Sequence, residues 1–371
     1  MTDRKKRREE KARRARTRQQ SPSELDGAVE LLDEVRAALD SGEPIELLGM
    51  VSMMILATDP ANNSEAESTD LRELIGAFIG TPLLETTALL AALSELLDDG
   101  MLAARCRHAL VARHDAVPAW LAQLQQTTVR QAMLMTHVLG DADELILGVQ
   151  FADGREMSSA VHIDHLQSSA VKDAFFVPES INTVLTVAKA SNDDPDTSFV
   201  ELPLDQAAAR LRDALNREPA IPGQVSDTWP NSRALLSWVA GLLPDSENAA
   251  PQRVSENRGE FVDRFFAALV GLPFNRPGYR ALLDISIDAG TGDPLRWSSA
   301  RLARLLAGGF VTPELIPAEV QADLPRLLRA YVPFAHAEAG IRDELTAEAL
   351  AAIDEFADDY RASVLDDDQL D

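Results

Sequence analysis

The sequence predicts an α+β protein that is mainly helical and has a small central antiparallel β-sheet or hairpin. Two observations lead to this fold class. Apolar residues recur at helical spacing through residues 23–126 and again beyond residue 200. Between these regions, around the dipeptide Asp153-Gly154, apolar residues occupy every second position, which is the period of a half-buried β-strand.

The length and composition of the chain are those of a globular protein with a sizeable core. The chain has 371 residues, of which 46% are hydrophobic, and this length suggests two or three domains. We expect a basic disordered arm at 1–20, a helical N-terminal region at 21–126, a small antiparallel sheet plus a helix at 127–191, a helical C-terminal region at 200–363 and an acidic tail at 364–371.

The first helices are predicted from the spacing of their apolar residues. Leu25, Val29 and Leu32 follow the spacing of three and four that defines one helix face. Gly42 and Pro44 end this helix, because neither residue continues a helix well. Further helices are expected over 45–58, 70–79, 83–97 and 101–114.

The central sheet is predicted from alternation on both sides of a turn. Leu145, Leu147 and Val149 alternate with other residues and therefore share one face. Asp153-Gly154 is a typical hairpin turn, and residues 157–165 form the returning strand. Residues 131–140 and 173–177 are expected to add strands, and a helix at 181–188 follows Ser180 as its N-cap.

The remainder of the chain is predicted to be helical after one polar connection. Residues 190–199 are polar and acidic, and we expect a loop there. The predicted helices cover 204–215, 234–243, 261–270, 279–287, 297–306, 324–339 and 346–363.

The charge and cysteine content narrow the classes of function. The net charge is −25, and such an acidic body repels phosphate backbones, so it is not a nucleic-acid platform by itself. Cys106 is the only cysteine, so no disulfide forms within the chain, which fits a reducing compartment. Because no apolar stretch reaches the roughly 20 residues that span a bilayer, we expect a cytoplasmic protein without membrane contact.

The basic arm has two interpretations. A solvated tail is preferred, and the alternative is weak, sequence-independent and salt-sensitive contact with nucleic acid. The side chains available for that contact are Arg4, Lys5, Lys6, Arg7, Arg8, Lys11, Arg13, Arg14, Arg16 and Arg18.

Residues 161–176 contain several ionisable side chains of the types used in catalysis and ligand binding. His162 and Asp164 share a strand face opposite to that of the apolar residues, and a His-x-Asp pair can orient an imidazole or bind a divalent metal. Asp173 is a possible third ligand, and Lys172 can offset its charge. We prefer a structural role, because open sheets have a solvated face and no zinc-ligand spacing occurs. No metal or other cofactor is therefore expected.

The same stretch resembles a recurring sequence in a family of actinobacterial proteins with no known activity. In that family an extended "vDH" segment precedes a short loop and "KDAF", and the helical C-terminal region is also similar. The resemblance implies matching positions at Asp164, His165, Lys172 and Asp173. It does not assign a ligand role or a loop-bracing role to them.

The sequence favours a non-catalytic interaction or adaptor protein that binds protein partners. The alternatives are an enzyme or a small-ligand or metal-binding protein that uses His162, Asp164 and Asp173, and a nucleic-acid-associated protein tethered through residues 1–20. An enzyme requires those side chains to converge on a pocket with perturbed ionisation. An adaptor requires an exposed apolar patch.

Overall fold

A computed structural model of the protein describes residues 22–59, 70–218, 226, 228–245, 258–307 and 316–367. The helices are α1 Pro22–Ser41, α2 Pro44–Ala57, α3 Leu71–Gly80, α4 Leu84–Leu96, α5 Gly100–Leu110, α6 Ala119–Ala122, α7 Ile181–Ala190, α8 Leu204–Leu215, α9 Thr228–Leu242, α10 Arg258–Ala267, α11 Tyr279–Asp288, α12 Ser299–Ala307, α13 Ala318–Ala322, α14 Leu324–Ala339 and α15 Asp343–Asp367. The strands are β1 Thr128–His137, β2 Ala142–Gln150, β3 Glu156–Asp164, β4 Ala170–Val177 and β5 Thr197–Leu202.

The predicted fold class is confirmed, since the described chain is mainly helical with one antiparallel sheet of order β4-β3-β2-β1-β5. The strand β5 was not predicted, because the expected loop at 190–199 overlaps its first three residues. This edge strand pairs with β1 in a register that runs from the pair Ala132–Leu202 to the pair His137–Thr197. Two adjacent residues of β5, Phe199 and Val200, are both apolar, so the strand lacks the regular alternation of apolar and polar residues. The last helix, α15, is also longer at both ends than the predicted 346–363.

The described residues divide into two compact units. The first contains the described parts of 1–127 together with 150–157 and 230–238, and the second contains the described parts of 128–149, 158–229 and 239–371. In the part of the chain that the structure describes, no helix has the length and apolarity needed to cross a membrane.

In the first unit, α4 is the central helix. It is buried on nearly all sides, and its buried residues include apolar ones such as Leu89 and Leu93 and polar ones such as Thr86 and Thr87. The helices α1, α2, α3, α5 and α6 all pack against it. Asp70 and Asp99 cap α3 and α5 by accepting hydrogen bonds from free backbone N–H groups.

In the second unit, the two sheet faces are covered differently. Leu145, Leu147 and Val149 are buried on one face, and α8 packs against β1 and β4. On the other face α7 lies so close that a Cβ atom at Gly148 would be 2.9 Å from Ile181 Cγ2. This face contains Met133, Ile146 and Ile181 in one apolar cluster.

The C-terminal helices of the second unit share an aromatic core around a buried arginine. The guanidinium of Arg301 lies 3.8 Å from the ring centroid of Trp297. It donates to the carbonyl oxygens of Asp293 (2.7 Å), Arg296 (2.6 Å) and Ile287 (3.1 Å). Complete burial lowers the pKa of Arg301 to about 10, and these carbonyl groups compensate for its lost hydration.

Candidate functional site

A cavity of about 420 Å³ opens beside β3 and β4 in the second unit. Its volume lies within the range of roughly 300–1,000 Å³ that is typical of small-molecule sites. The residues that line it are Glu144, Ala160, His162, Lys172, Asp173, Phe175 and Ser226.

The strand register brings the ionisable side chains of this cavity together. His162 on β3 pairs directly with Asp173 on β4, and directly opposed residues on neighbouring strands lie within reach of each other. His162 Nδ1 is hydrogen-bonded to Glu144 Oε1 on β2. Three neighbouring strands therefore contribute one ionisable group each to the same face.

A β-bulge adds Lys172 to this group. The pairing passes from His162–Asp173 to Ile163–Val171, so Lys172 has no partner on β3. Adjacent residues of a regular strand point to opposite faces, yet Lys172 and Asp173 both line the cavity. The bulge redirects one of these side chains, an effect that occurs often next to active sites.

The environment of His162 favours its charged form. The hydrogen bond to Glu144 raises the pKa of His162, and this effect exceeds the opposing effect of burial. Because Glu144 occupies Nδ1, Nε2 is the ring nitrogen left for a ligand. An imidazole held in this way can act as a general acid or base near neutral pH.

Asp173 is held in its charged form by hydroxyl groups. Burial is the largest single influence and raises the pKa of Asp173, but the hydrogen bonds from Ser226, Thr228 and the backbone N–H of Ala174, together with the charge of His162, outweigh it and lower the pKa. Both hydroxyl oxygens lie 2.5 Å from Asp173 Oδ1. Ser226 also donates its backbone N–H to the carbonyl of Lys172 at 3.0 Å, which fixes this residue at the cavity.

The structure brings together three of the five residues singled out from the sequence. His162, Lys172 and Asp173 line the cavity, whereas Asp164 and His165 are not among its lining residues. Asp164 accepts a hydrogen bond from Leu166 N at 2.9 Å and one from Lys172 Nζ at 3.2 Å. Asp164 therefore braces the turn after β3, and it also positions the lysine.

Sequence reasoning missed Glu144 and Ser226. Glu144 alternates with the buried Leu145, so the period of β2 already placed it on the face of His162. No comparable signal existed for Ser226, which is far from β4 in sequence and meets it only through folding. The basic residues of the arm at 1–20 lie outside the described residues.

A second polar cluster contains His137, Asp194 and Asp196, whose potential ligand atoms all lie within 4.8 Å of one another. The ring of His137 does not suit a metal ion, because its Nδ1 already accepts a hydrogen bond from Leu139 N at 3.1 Å. A neutral ring with an accepting Nδ1 carries its proton on Nε2, the atom 3.4 Å from Asp194. Arg342 also pairs with Asp196 at 2.5 Å, so the cluster links the end of β1 to the residue that precedes α15.

Comparison of the chain with protein-family models, with curated proteins and with solved structures gives no match. The function is therefore argued from the geometry of the site alone.

Proposed function

We propose that the protein binds a small polar molecule in the cavity beside β3 and β4, with His162 as the group that exchanges a proton with it. The observation that carries this proposal is the convergence of Glu144, His162, Lys172 and Asp173 on one cavity. The shifts in the pKa values of His162 and Asp173 support it, because perturbed ionisation is common at functional sites.

The lining indicates the class of ligand. The carboxylates of Glu144 and Asp173 accept hydrogen bonds, so they suit a ligand rich in hydroxyl or amino groups. The ring of Phe175 lines the same cavity and is 47% exposed, which offers an apolar surface against which a small ring can stack. A hydroxylated or aminated small molecule therefore fits this cavity.

The test is a screen of hydroxylated and aminated small molecules by ligand-observed NMR, followed by calorimetry on the compounds that bind. We expect His162→Gln to weaken binding about tenfold or more, because the ring contributes a charge-assisted hydrogen bond. The control is His108→Gln, which changes an exposed histidine of the first unit. Equal affinities of the wild type and His162→Gln, or no binder in the screen, would contradict the proposal.

A second proposal is the interaction role that the sequence favours. Its support is an exposed apolar turn after α10, where Leu269, Val270 and Leu272 are 86%, 50% and 51% exposed. Exposed apolar residues in a group are typical of contact surfaces. We expect Leu269→Ser to abolish a protein interaction in quantitative pull-downs while Val187→Ser, which changes an exposed residue on α7, preserves it. If Leu269→Ser and Val187→Ser bound the same partners, the interaction role of this turn would be rejected.

A further inference from the structure

A second set of ionisable residues lies on the opposite face of β2 from the cavity. Asp143 precedes Glu144 in this strand, so the two side chains point to opposite faces. His165 Nε2 lies 3.1 Å from Asp143 Oδ2, and His165 Nδ1 lies 2.9 Å from Ser169 Oγ. A carboxylate, an imidazole and a hydroxyl group therefore follow one another in contact.

The protons of this set can be assigned from its chemistry. An ionised carboxylate only accepts hydrogen bonds, so Nε2 of a neutral His165 carries the proton beside Asp143. Nδ1 then has the lone pair, and Ser169 Oγ–H donates to it. The contact of Nε2 with Asp143 is within ion-pair distance but is poorly aligned as a hydrogen bond, as occurs in many catalytic sites before substrate binds.

The surroundings hold these groups in place. The side chains of Asp143 and His165 are 1% and 8% exposed, and Arg210 lies 3.6 Å from Asp143 Oδ2, which supplies the positive charge that a buried carboxylate requires. His165 N donates to the carbonyl of Asp141 at 2.8 Å. Ser169 is half-buried, so it is the most exposed member of a set whose other two side chains are almost fully buried.

The backbone at the serine is unusual. Ser168 and Ser169 have φ values of 62° and 58°, in the left-handed region where a residue with a Cβ atom costs about 1–2 kcal/mol. Glycine or asparagine normally occupies such positions. Backbone strain of this kind is concentrated at functional sites, and in this conformation the Ser169 hydroxyl contacts the ring of His165.

We propose that Ser169 is a nucleophile for acyl transfer from small carboxylic esters, with His165 as general base and Asp143 as the residue that positions His165. Ser169 Oγ bonds to the ester carbonyl carbon as its proton passes to His165 Nδ1. The bond from that carbon to the alkoxy oxygen then breaks, and His165 gives the proton to the departing alcohol. Water hydrolyses the acyl-serine by the same steps, which restores Ser169 and releases the acid.

The test is covalent labelling of the full chain with diisopropyl fluorophosphate, followed by peptide mass spectrometry. In this reaction the Ser169 Oγ–P bond forms, the P–F bond breaks and fluoride leaves as the anion. His165 accepts the proton of Ser169 and then releases it to water. We expect one adduct on Ser169, none in Ser169→Ala, and wild-type labelling in the matched variant Ser168→Ala. Labelling of Ser169 at the same rate in the urea-unfolded chain, or its absence from the folded chain, would overturn the proposal.

The two partners of Ser169 have separate tests. We expect His165→Gln to slow labelling about 100-fold or more, the usual contribution of a general base, with folding checked by circular dichroism. If that variant does not fold, the comparison of Ser169→Ala with Ser168→Ala decides the outcome. For Asp143→Asn, ¹⁵N NMR should show the His165 proton moving away from Nε2, and an unchanged tautomer would remove Asp143 from this role.

Discussion

The carboxylate of Glu144 has the largest influence on the ionisation of His162. Glu144 raises the pKa of His162 through a hydrogen bond and through its charge. We expect Glu144→Gln to lower the pKa of His162, because the amide can accept the hydrogen bond but carries no charge. Titration followed by NMR measures this, with Glu156→Gln at an exposed position of β3 as the control. An unchanged pKa would mean that Glu144 does not set this ionisation.

The same pair makes stability depend on pH. A histidine whose pKa is raised by folding stabilises the folded state fully below its unfolded pKa of 6.5, and this contribution is lost as pH rises through the folded pKa. The free energy of unfolding of the wild type should therefore fall relative to that of His162→Gln above pH 6.5. Urea denaturation at several pH values measures the difference, and parallel curves would contradict the expectation.

At the scale of elements, the packing of α7 on the sheet depends on the absence of a side chain at Gly148. A Cβ atom there would lie 2.9 Å from Ile181 Cγ2 and 3.0 Å from its Cβ. We expect Gly148→Ala to lower the free energy of unfolding by about 1–3 kcal/mol through overpacking. The control Gly49→Ala meets nothing within 4 Å inside α2, so it should stabilise by about 0.5–1 kcal/mol. Chemical denaturation of both variants provides the test, and equal effects would contradict it.

Much of this architecture could be predicted from local patterns in the sequence. The alternation of Leu145, Leu147 and Val149 gives the inner face of β2, and Asp153-Gly154 gives the hairpin turn. The alternation also placed His162 opposite that face. The edge strand β5 was missed because half-exposed edges carry a weak alternation signal.

The cavity itself could be predicted only in part. A bulge at Lys172 depends on how β3 and β4 pair, and Ser226 reaches Asp173 from more than 50 residues away. Neither feature leaves a periodic signal in the sequence. The sequence analysis preferred a structural role for the strand face that carries His162, because its residue types are those of a solvated sheet surface. The cavity, in contrast, arises from the arrangement of three strands.

At the scale of the whole molecule, the C-terminal half of the second unit is organised around Arg301. Its hydrogen bonds hold the turn at Asp293 and the end of α11, so the Gly-Thr-Gly segment at 290–292 is braced by a side chain. We expect Arg301→Met to lower the free energy of unfolding by about 3–5 kcal/mol, because three carbonyl groups lose their donor and each unsatisfied group costs about 1–3 kcal/mol. The control Arg329→Met breaks an exposed pair with Asp354 and should cost at most about 1 kcal/mol. Similar losses in denaturation curves would contradict this role.

The charge distribution of the whole chain leads to a separate proposal for the basic arm. The whole chain has a net charge of −25 although residues 1–20 are basic, so the rest of the chain is more acidic still and should repel nucleic acid. Any binding should therefore depend on residues 1–20. We expect the full chain to bind duplex DNA weakly at low salt, with an affinity that falls as salt is raised. Fluorescence anisotropy on the full chain and on a chain lacking residues 1–20 measures this. If the shortened chain bound DNA at moderate salt, the proposal that residues 1–20 attach the protein to DNA would be refuted.

Asp143 and Glu144 are neighbours on β2, yet each belongs to a different group of interacting side chains. A displacement of this strand by one residue would exchange the faces of both carboxylates. His162 and His165 would then lose their acidic partners in a single event. A change that shifts the register of β2 should thus impair ligand binding at His162 and labelling of Ser169 together. A substitution of Glu144 alone should affect only the first, and a substitution of Asp143 alone should affect only the second.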